Sequence, residues 1–153
     1  MWEIRLVTVG KAKDVGIRDG LERYARMVAG EWRLVLDSVP QSKRENADTC
    51  RREEGKALRG RLTRGCASIA LDPCGEAQDS GRFASMLSAH KDSGKPVIFL
   101  VGGPHGLDRE TLEACDRRLS LSPMTFPHEL AALVLAEQVY RAHAATGRRN
   151  YAK

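Results

Sequence analysis

The chain has 153 residues, of which 42% are hydrophobic and 29% charged, with a formal net charge of +5. That length suits a single domain with its own core, read here as residues 1–153, and the balance excludes a collagen-like, mucin-like or disordered chain. No apolar run approaches the ~20 residues that span a bilayer, and Met1-Trp2-Glu3-Ile4-Arg5 lacks the order of a secretory signal, so a cytoplasmic protein with no membrane partner is expected.

Residues 2–9 are rich in Ile, Leu and Val and predict a strand ending at Gly10. Val15, Leu21, Tyr24, Ala25 and Val28 recur at helical spacing over 14–28, with Gly30 as a stop. Residues 31–39 predict a second strand, closed by Pro40. Ser42-Lys-Arg-Glu45 fits a capping box, opening a helix that runs to about residue 59. Cys66–Leu71 predicts a buried strand, and Asp72-Pro-Cys-Gly75 a turn. A helix follows over about 80–90. Pro96–Val101 is the clearest central strand, and it runs into Gly102-Gly-Pro-His-Gly106. Asp108 can cap a short helix over 109–115, and Arg118–Leu121 predicts a last strand. The loop Ser122–Phe126 leads to Pro127, well placed at the first turn of a final helix reaching about Ala144. Strand and helix alternate throughout, which predicts an α/β fold with a mostly parallel sheet and helices on both faces. Ligands in such folds sit beyond the carboxyl ends of the strands. The loops 71–75, 102–106 and 121–127 are therefore the ones to watch.

Charge is uneven. Residues 41–64 hold eight basic and four acidic residues, and 141–153 hold four basic and no acidic ones. Arginine outnumbers lysine by 18 to 7, and its planar fork suits phosphate. A basic helix with a basic tail fits a polyanion such as RNA, although Glu45, Asp48, Glu53 and Glu54 are also placed to pair with nearby arginines. Cys50, Cys66, Cys74 and Cys115 show no C-x-x-C spacing and read as reduced thiols. The glycine-rich segment after Val101 is not G-x-G-x-x-G, and there is no P-loop. His128-Glu129 begins like H-E-x-x-H, but Ala132 stands where the second histidine would be, so no zinc pair forms there. No G-x-S-x-G elbow is present.

Gly102 and Gly103 let backbone approach a ligand with no Cβ in the way, and Ser122–Pro127 could present backbone groups to an adenine edge. Taken singly, each is also an ordinary turn. Together, Val101-Gly-Gly-Pro-His-Gly-Leu107, Leu119-Ser-Leu-Ser-Pro-Met-Thr-Phe-Pro-His128 and Leu135-Ala-Glu-Gln-Val-Tyr-Arg-Ala142 closely resemble the RlmH family. These are SPOUT-class methyltransferases acting on pseudouridine in large-subunit ribosomal RNA. The resemblance extends to Ile4–Gly10, Lys43-Arg44, Asn46–Asp48 and Leu71-Asp72 with Gly75.

The resemblance implies a SPOUT fold with a C-terminal trefoil knot and a homodimer that acts on 23S rRNA in the ribosome. It implies S-adenosylmethionine bound by Leu71, Gly103, Leu121, Ser122, Pro123, Met124, Thr125 and Phe126. It implies methyl transfer to N3 of a pseudouridine in the helix 69 loop, with no metal. Tyr151 matches a tyrosine that faces the RNA base, and Glu137 and Arg141 match the family's final helix. Tyr151, His128 and Arg141 are the candidate catalytic residues; Lys43, Arg44, Arg148 and Arg149 are the candidate substrate contacts. Glu137 and Arg141 are equally readable as an i,i+4 ion pair. The chain departs from the family pattern twice: Ala132 replaces an arginine, and Ala152 replaces a histidine after the tyrosine. The alternative is therefore a dimeric RNA-binding or ribosome-assembly protein of the same fold with reduced or altered catalysis.

Overall fold

The computed structural model describes residues 1–147. Arg148, Arg149 and Tyr151 lie outside the described residues. Five strands alternate with five helices: β1 (Trp2–Val9), α1 (Val15–Met27), β2 (Trp32–Val39), α2 (Ala47–Arg59), β3 (Ala67–Ala77), α3 (Ser80–Asp92), β4 (Val97–Leu100), α4 (Arg109–Ala114), β5 (Arg117–Ser120) and α5 (His128–Thr146). They build one parallel sheet in the order β2-β1-β4-β3-β5. A parallel sheet is covered on both faces. Hence all four residues of β4, at the sheet centre, are buried.

Side-chain alternation divides the core in two. Ile4, Leu6, Ile69, Phe99 and Leu119 face α1, α3 and α5, which contribute Leu21, Leu87, Leu135 and Val139. Val7, Val9, Ile98 and Leu100 face the other way, against Leu58 of α2 and Leu107 and Cys115 flanking α4. Burial pushes the Cys115 thiol up to about 11, so it stays protonated, and all four cysteines are free.

Aspartate or asparagine caps the first four helices. Asp14, Asn46, Asp79 and Asp108 accept from the amides of Ile17, Thr49, Arg82 and Thr111 at 2.8–3.2 Å. The cap of α2 is thus Asn46 and not Ser42. Ser42 instead fastens the loop after β2 to the side of α2. Its amide donates to Glu54 at 3.0 Å and its hydroxyl to Glu53 at 2.7 Å. The expected turn at 72–75 is also different. β3 continues to Ala77, and Leu71 and Glu76 both pair with Leu119, so residues 72–75 bulge out of the strand. Gly75 makes this possible. A Cβ there would sit 2.7 Å from the backbone of Arg118.

α2 and α4 lock together through one polar cluster. Arg59 Nη1 donates to Asp108 at 3.2 Å and to Thr111 Oγ1 at 2.7 Å, and both acceptor residues are buried. Gly55 lies against them, since a Cβ would be 2.2 Å from Asp108 Oδ1 and 2.6 Å from Thr111 Oγ1. Gly55→Ala must therefore push the helices apart. Urea unfolding is expected to show a loss of about 2 kcal/mol or more, with an unchanged slope.

Candidate active site

Every strand is parallel, so all five carboxyl ends, and the loops that leave them, lie along one edge. Three of those loops enclose a cleft of about 610 Å³, well within the size of a small-molecule site. Leu71, Val101, Leu119 and Leu121 make apolar wall. Of the eight predicted cofactor residues, Leu71, Gly103, Leu121, Ser122, Met124, Thr125 and Phe126 line the cleft. Pro123 belongs to the same loop but is not part of the wall.

The loop after β4 is folded tightly on itself. Gly106, at φ +78°, donates its amide to the Gly103 carbonyl at 2.9 Å. Gly102 packs on the Gly106 backbone, where a Cβ would be 2.6 Å from the carbonyl carbon. Gly103 has cleft on one side and α2 on the other. A Cβ on it would meet Glu54 Oε1 at 2.8 Å and Val9 Cγ1 at 3.2 Å. These glycines are therefore needed for close backbone approach and not for turning alone.

The loop after β5 is shaped by its own hydroxyls. Ser120 Oγ donates to the Ser122 carbonyl at 3.1 Å, and the Met124 amide donates to Ser122 Oγ at 3.0 Å. Met124 is left 73% exposed at the rim. His128 opens α5 and lines the cleft. Its neighbour Glu129 accepts from the Lys13 amide at 2.7 Å, which fastens the start of α5 to the loop after β1. Among the described residues that line the cleft, only Asp72 and His128 are titratable.

The predicted substrate residues divide. Lys43 and Arg44 are on the loop after β2, at the same sheet edge as the cleft, and both are exposed. Arg44 Nε donates to Glu53 at 3.0 Å. The Ser42 hydroxyl first, and then Arg44, hold the Glu53 carboxyl below its ordinary range. Arg51 pairs with Asp48, so part of the basic helix is internally neutralised, as its acidic neighbours allowed. Arg141 is not brought to the cleft. It pairs with Glu137 at 2.6 Å and stands 13 residues beyond His128, about 20 Å along a helix rising 1.5 Å per residue. Ala132, at the departure from the family pattern, is 1% exposed within the core.

Two residues of the site have no role assigned from the sequence, although Asp72 lies in one of the loops singled out there. Asp72 reads as the first residue of a turn, and only the bulge carries it to the cleft wall. Glu54 reads as surface charge, yet it is 3% exposed. Its Oε2 accepts from Ser42, and Oε1 has no hydrogen-bond partner among the described residues. A signal for it existed, because Cys50, Glu54 and Leu58 recur every four residues and all three are buried. Glu54 thus sits between the basic loop and the glycine loop. Among the described residues no group of three or more His, Cys, Asp or Glu is placed to hold a metal ion, and no helix is long and apolar enough to cross a membrane.

Comparison with known proteins agrees on one kinship. A family model described as "Predicted SPOUT methyltransferase" matches residues 2–151. A protein from Gluconacetobacter diazotrophicus named ribosomal RNA large subunit methyltransferase H is 44% identical over 141 residues, covering 92% of this chain and 91% of its own. One of the same name from Gemmatimonas aurantiaca is 38% identical over 141 residues, covering 91% and 92%. A crystal structure of a probable methyltransferase from Bordetella pertussis superposes with a TM-score of 0.61 at 17% identity, over 93% of this chain and 96% of that one, which speaks for the fold.

The junction at Glu54 makes its own prediction. Glu54→Ala leaves the Ser42 amide without its acceptor. Stability is expected to fall by about 1–3 kcal/mol, and hydrogen exchange should show the Ser42 amide opening far faster than the amides of β4.

Proposed function

The chain belongs to the SPOUT methyltransferase family, and on that premise we propose that it methylates N3 of a pseudouridine in the helix 69 loop of 23S ribosomal RNA, using S-adenosylmethionine. The observation that carries this reading is the convergence of the loops after β3, β4 and β5 on one cleft. The substrate class follows the relatives, which are named as large-subunit ribosomal RNA methyltransferases.

The residues present fit the cofactor. Leu71, Leu121 and Phe126 offer apolar surface for a purine, and Ser122 and Thr125 add hydroxyls and backbone groups. Gly103 brings bare backbone to the cleft wall, and Asp72 suits a cationic ligand. When bound, S-adenosylmethionine supplies an activated methyl group. The protein's own part is position and electrostatics. His128, on the cleft wall, would accept the N3 proton of the substrate base. The amides at the start of the 19-residue α5 favour negative charge, so they would stabilise an N3 anion beside them. Lys43 and Arg44 would hold RNA phosphates at the rim.

Tyr151 would act in the cleft of a second copy, and reach supports that assignment. Helix α5 has 19 residues, about 28 Å of length, with its first turn at the cleft. Tyr151 follows Gly147 by four residues, which span at most about 14 Å. The homodimer of the resemblance would remove this shortfall. The same holds for Arg148 and Arg149 as contacts to RNA lying across two subunits. The trefoil knot is also proposed here. α4 lies on one face of the sheet and α5 on the other, so residues 121–127 change faces beside the loop 102–106, the passage that threading would need. A cytoplasmic location follows from a ribosomal substrate.

A second reading keeps the fold and the cleft but loses the chemistry; the buried Ala132 in place of the family's arginine favours it. Labelled methyl transfer to 70S ribosomes with and without the helix 69 pseudouridine separates the two. Label that depends on the pseudouridine is expected. Binding of S-adenosylmethionine without transfer would support the second reading. Two variants sharpen the test. Gly103→Ala should weaken S-adenosylmethionine at least ~10-fold by calorimetry, because the new methyl would collide with Glu54 and Val9 and push the glycine loop off α2 toward the cleft. Arg44→Glu should leave cofactor affinity alone and flatten the salt dependence of ribosome binding by about one unit of slope.

A further inference from the structure

We propose that the Asp72 carboxylate reads the positive charge of the methyl donor, so that the cleft prefers S-adenosylmethionine to its neutral product, S-adenosylhomocysteine. The inference rests on the cofactor assignment above and adds a residue and a selectivity to it.

Among the described residues, Asp72 is the one acidic residue that lines the cleft, and no Lys or Arg lines it. Its neighbours across the cleft are largely apolar, so a charge placed there is screened less than in open water. The side chain is held in place. Oδ1 accepts from the Cys74 amide at 3.1 Å, Pro73 stiffens the next position, and Gly75 seats the bulge against the Arg118 backbone with no space for a Cβ. Apart from the Cys74 amide, the half-buried carboxylate has no hydrogen-bond or ion-pair partner among the described residues, so a cation in the cleft would meet no competing charge. A cationic ligand would supply the missing partner.

The change of charge during the reaction makes the preference one-sided. The sulfonium carbon–sulfur bond breaks, and its electron pair stays on sulfur. The methyl group joins N3, which has lost its proton. The donor's sulfur therefore changes from +1 to neutral, and the attraction to Asp72 is lost with it. A carboxylate there favours loading of the donor and departure of the product. It does not favour the transfer step, in which the positive charge disappears.

A role for Asp72 in holding a ribose hydroxyl or the amino-acid ammonium makes a different prediction. Donor and product share both groups, so such a role predicts equal losses. The test is calorimetric titration of wild type, Asp72→Asn and Asp72→Glu with three ligands. These are S-adenosylmethionine, S-adenosylhomocysteine and sinefungin, an inert analogue with a cationic amine in place of the sulfonium. The asparagine variant is nearly isosteric and should melt within a degree or two of wild type. In it, S-adenosylmethionine and sinefungin should weaken about 5–20-fold, the range expected for one partly screened charge pair. S-adenosylhomocysteine should change less than about 2-fold, and the glutamate variant should keep the wild-type preference. Equal weakening of all three ligands, or no weakening, overturns the proposal and leaves the cofactor assignment standing. Wild-type protein that bound none of the three would overturn both.

Discussion

The close approach of α2 to the chain leaving β4 is the constraint on which the rest of the site depends. Two neighbouring residues create it. Glu54 lies behind Gly103, and Gly55 lies against Asp108 and Thr111. Together they hold the whole segment from Gly102 to Thr111 against one helix. A side chain on either glycine would lift that segment from its support. The tight turn of Gly102 on Gly106 then sets the floor of the cleft, and the bulge at 72–75 and the loop after β5 close around it. Glu54 also accepts from Ser42, so the same helix fixes the basic loop at the rim. A buried carboxylate is costly, and this one stands where three parts of the site meet.

Charge and apolar surface are divided between rim and cleft. The cleft wall is built mainly from apolar side chains and glycine backbone, which suits a ligand recognised by shape and a few polar contacts. The cations stand outside it, on the loop after β2 and along α2. Several are restrained by their own acids, Arg44 by Glu53 and Arg51 by Asp48. Such surface pairs add little stability. Their effect is to neutralise part of the basic surface, which leaves Lys43 and the arginines without an acidic neighbour as the stronger phosphate contacts. This arrangement agrees with the proposed RNA substrate.

Helix α5 connects two distant ends of the molecule. Its first turn borders the cleft and is tied to the loop after β1 through Glu129. Its last turn lies at the far end, where His143 Nε2 meets the Ala29 carbonyl at 2.8 Å. Arg141 belongs to that far end and is paired with Glu137. That distance is in line with the proposed homodimer, in which Arg141 would serve the cleft of a second copy.

Alternation of strand and helix was legible in the residues because hydrophobic periodicity is a local property. The same is true of Asp108 as a cap, and of Gly102-Gly103 and Ser122–Phe126 as segments worth attention. Motif resemblance reached the family, since its loops combine short runs of unusual composition. What local pattern could not hold was the partner of each residue. Ser42-x-x-Glu45 satisfies the capping pattern, yet Asn46 caps α2, because Glu53 and Glu54 further along the helix compete for Ser42. Asp72-Pro-Cys-Gly has turn chemistry, yet pairing of Glu76 with Leu119 across the sheet turned it into a bulge and carried Asp72 into the cleft. Glu54 looks like surface charge until the loop after β4 covers it. In each case the decision was made by a group distant in the chain, and only the tertiary structure brings that group within hydrogen-bonding or packing distance.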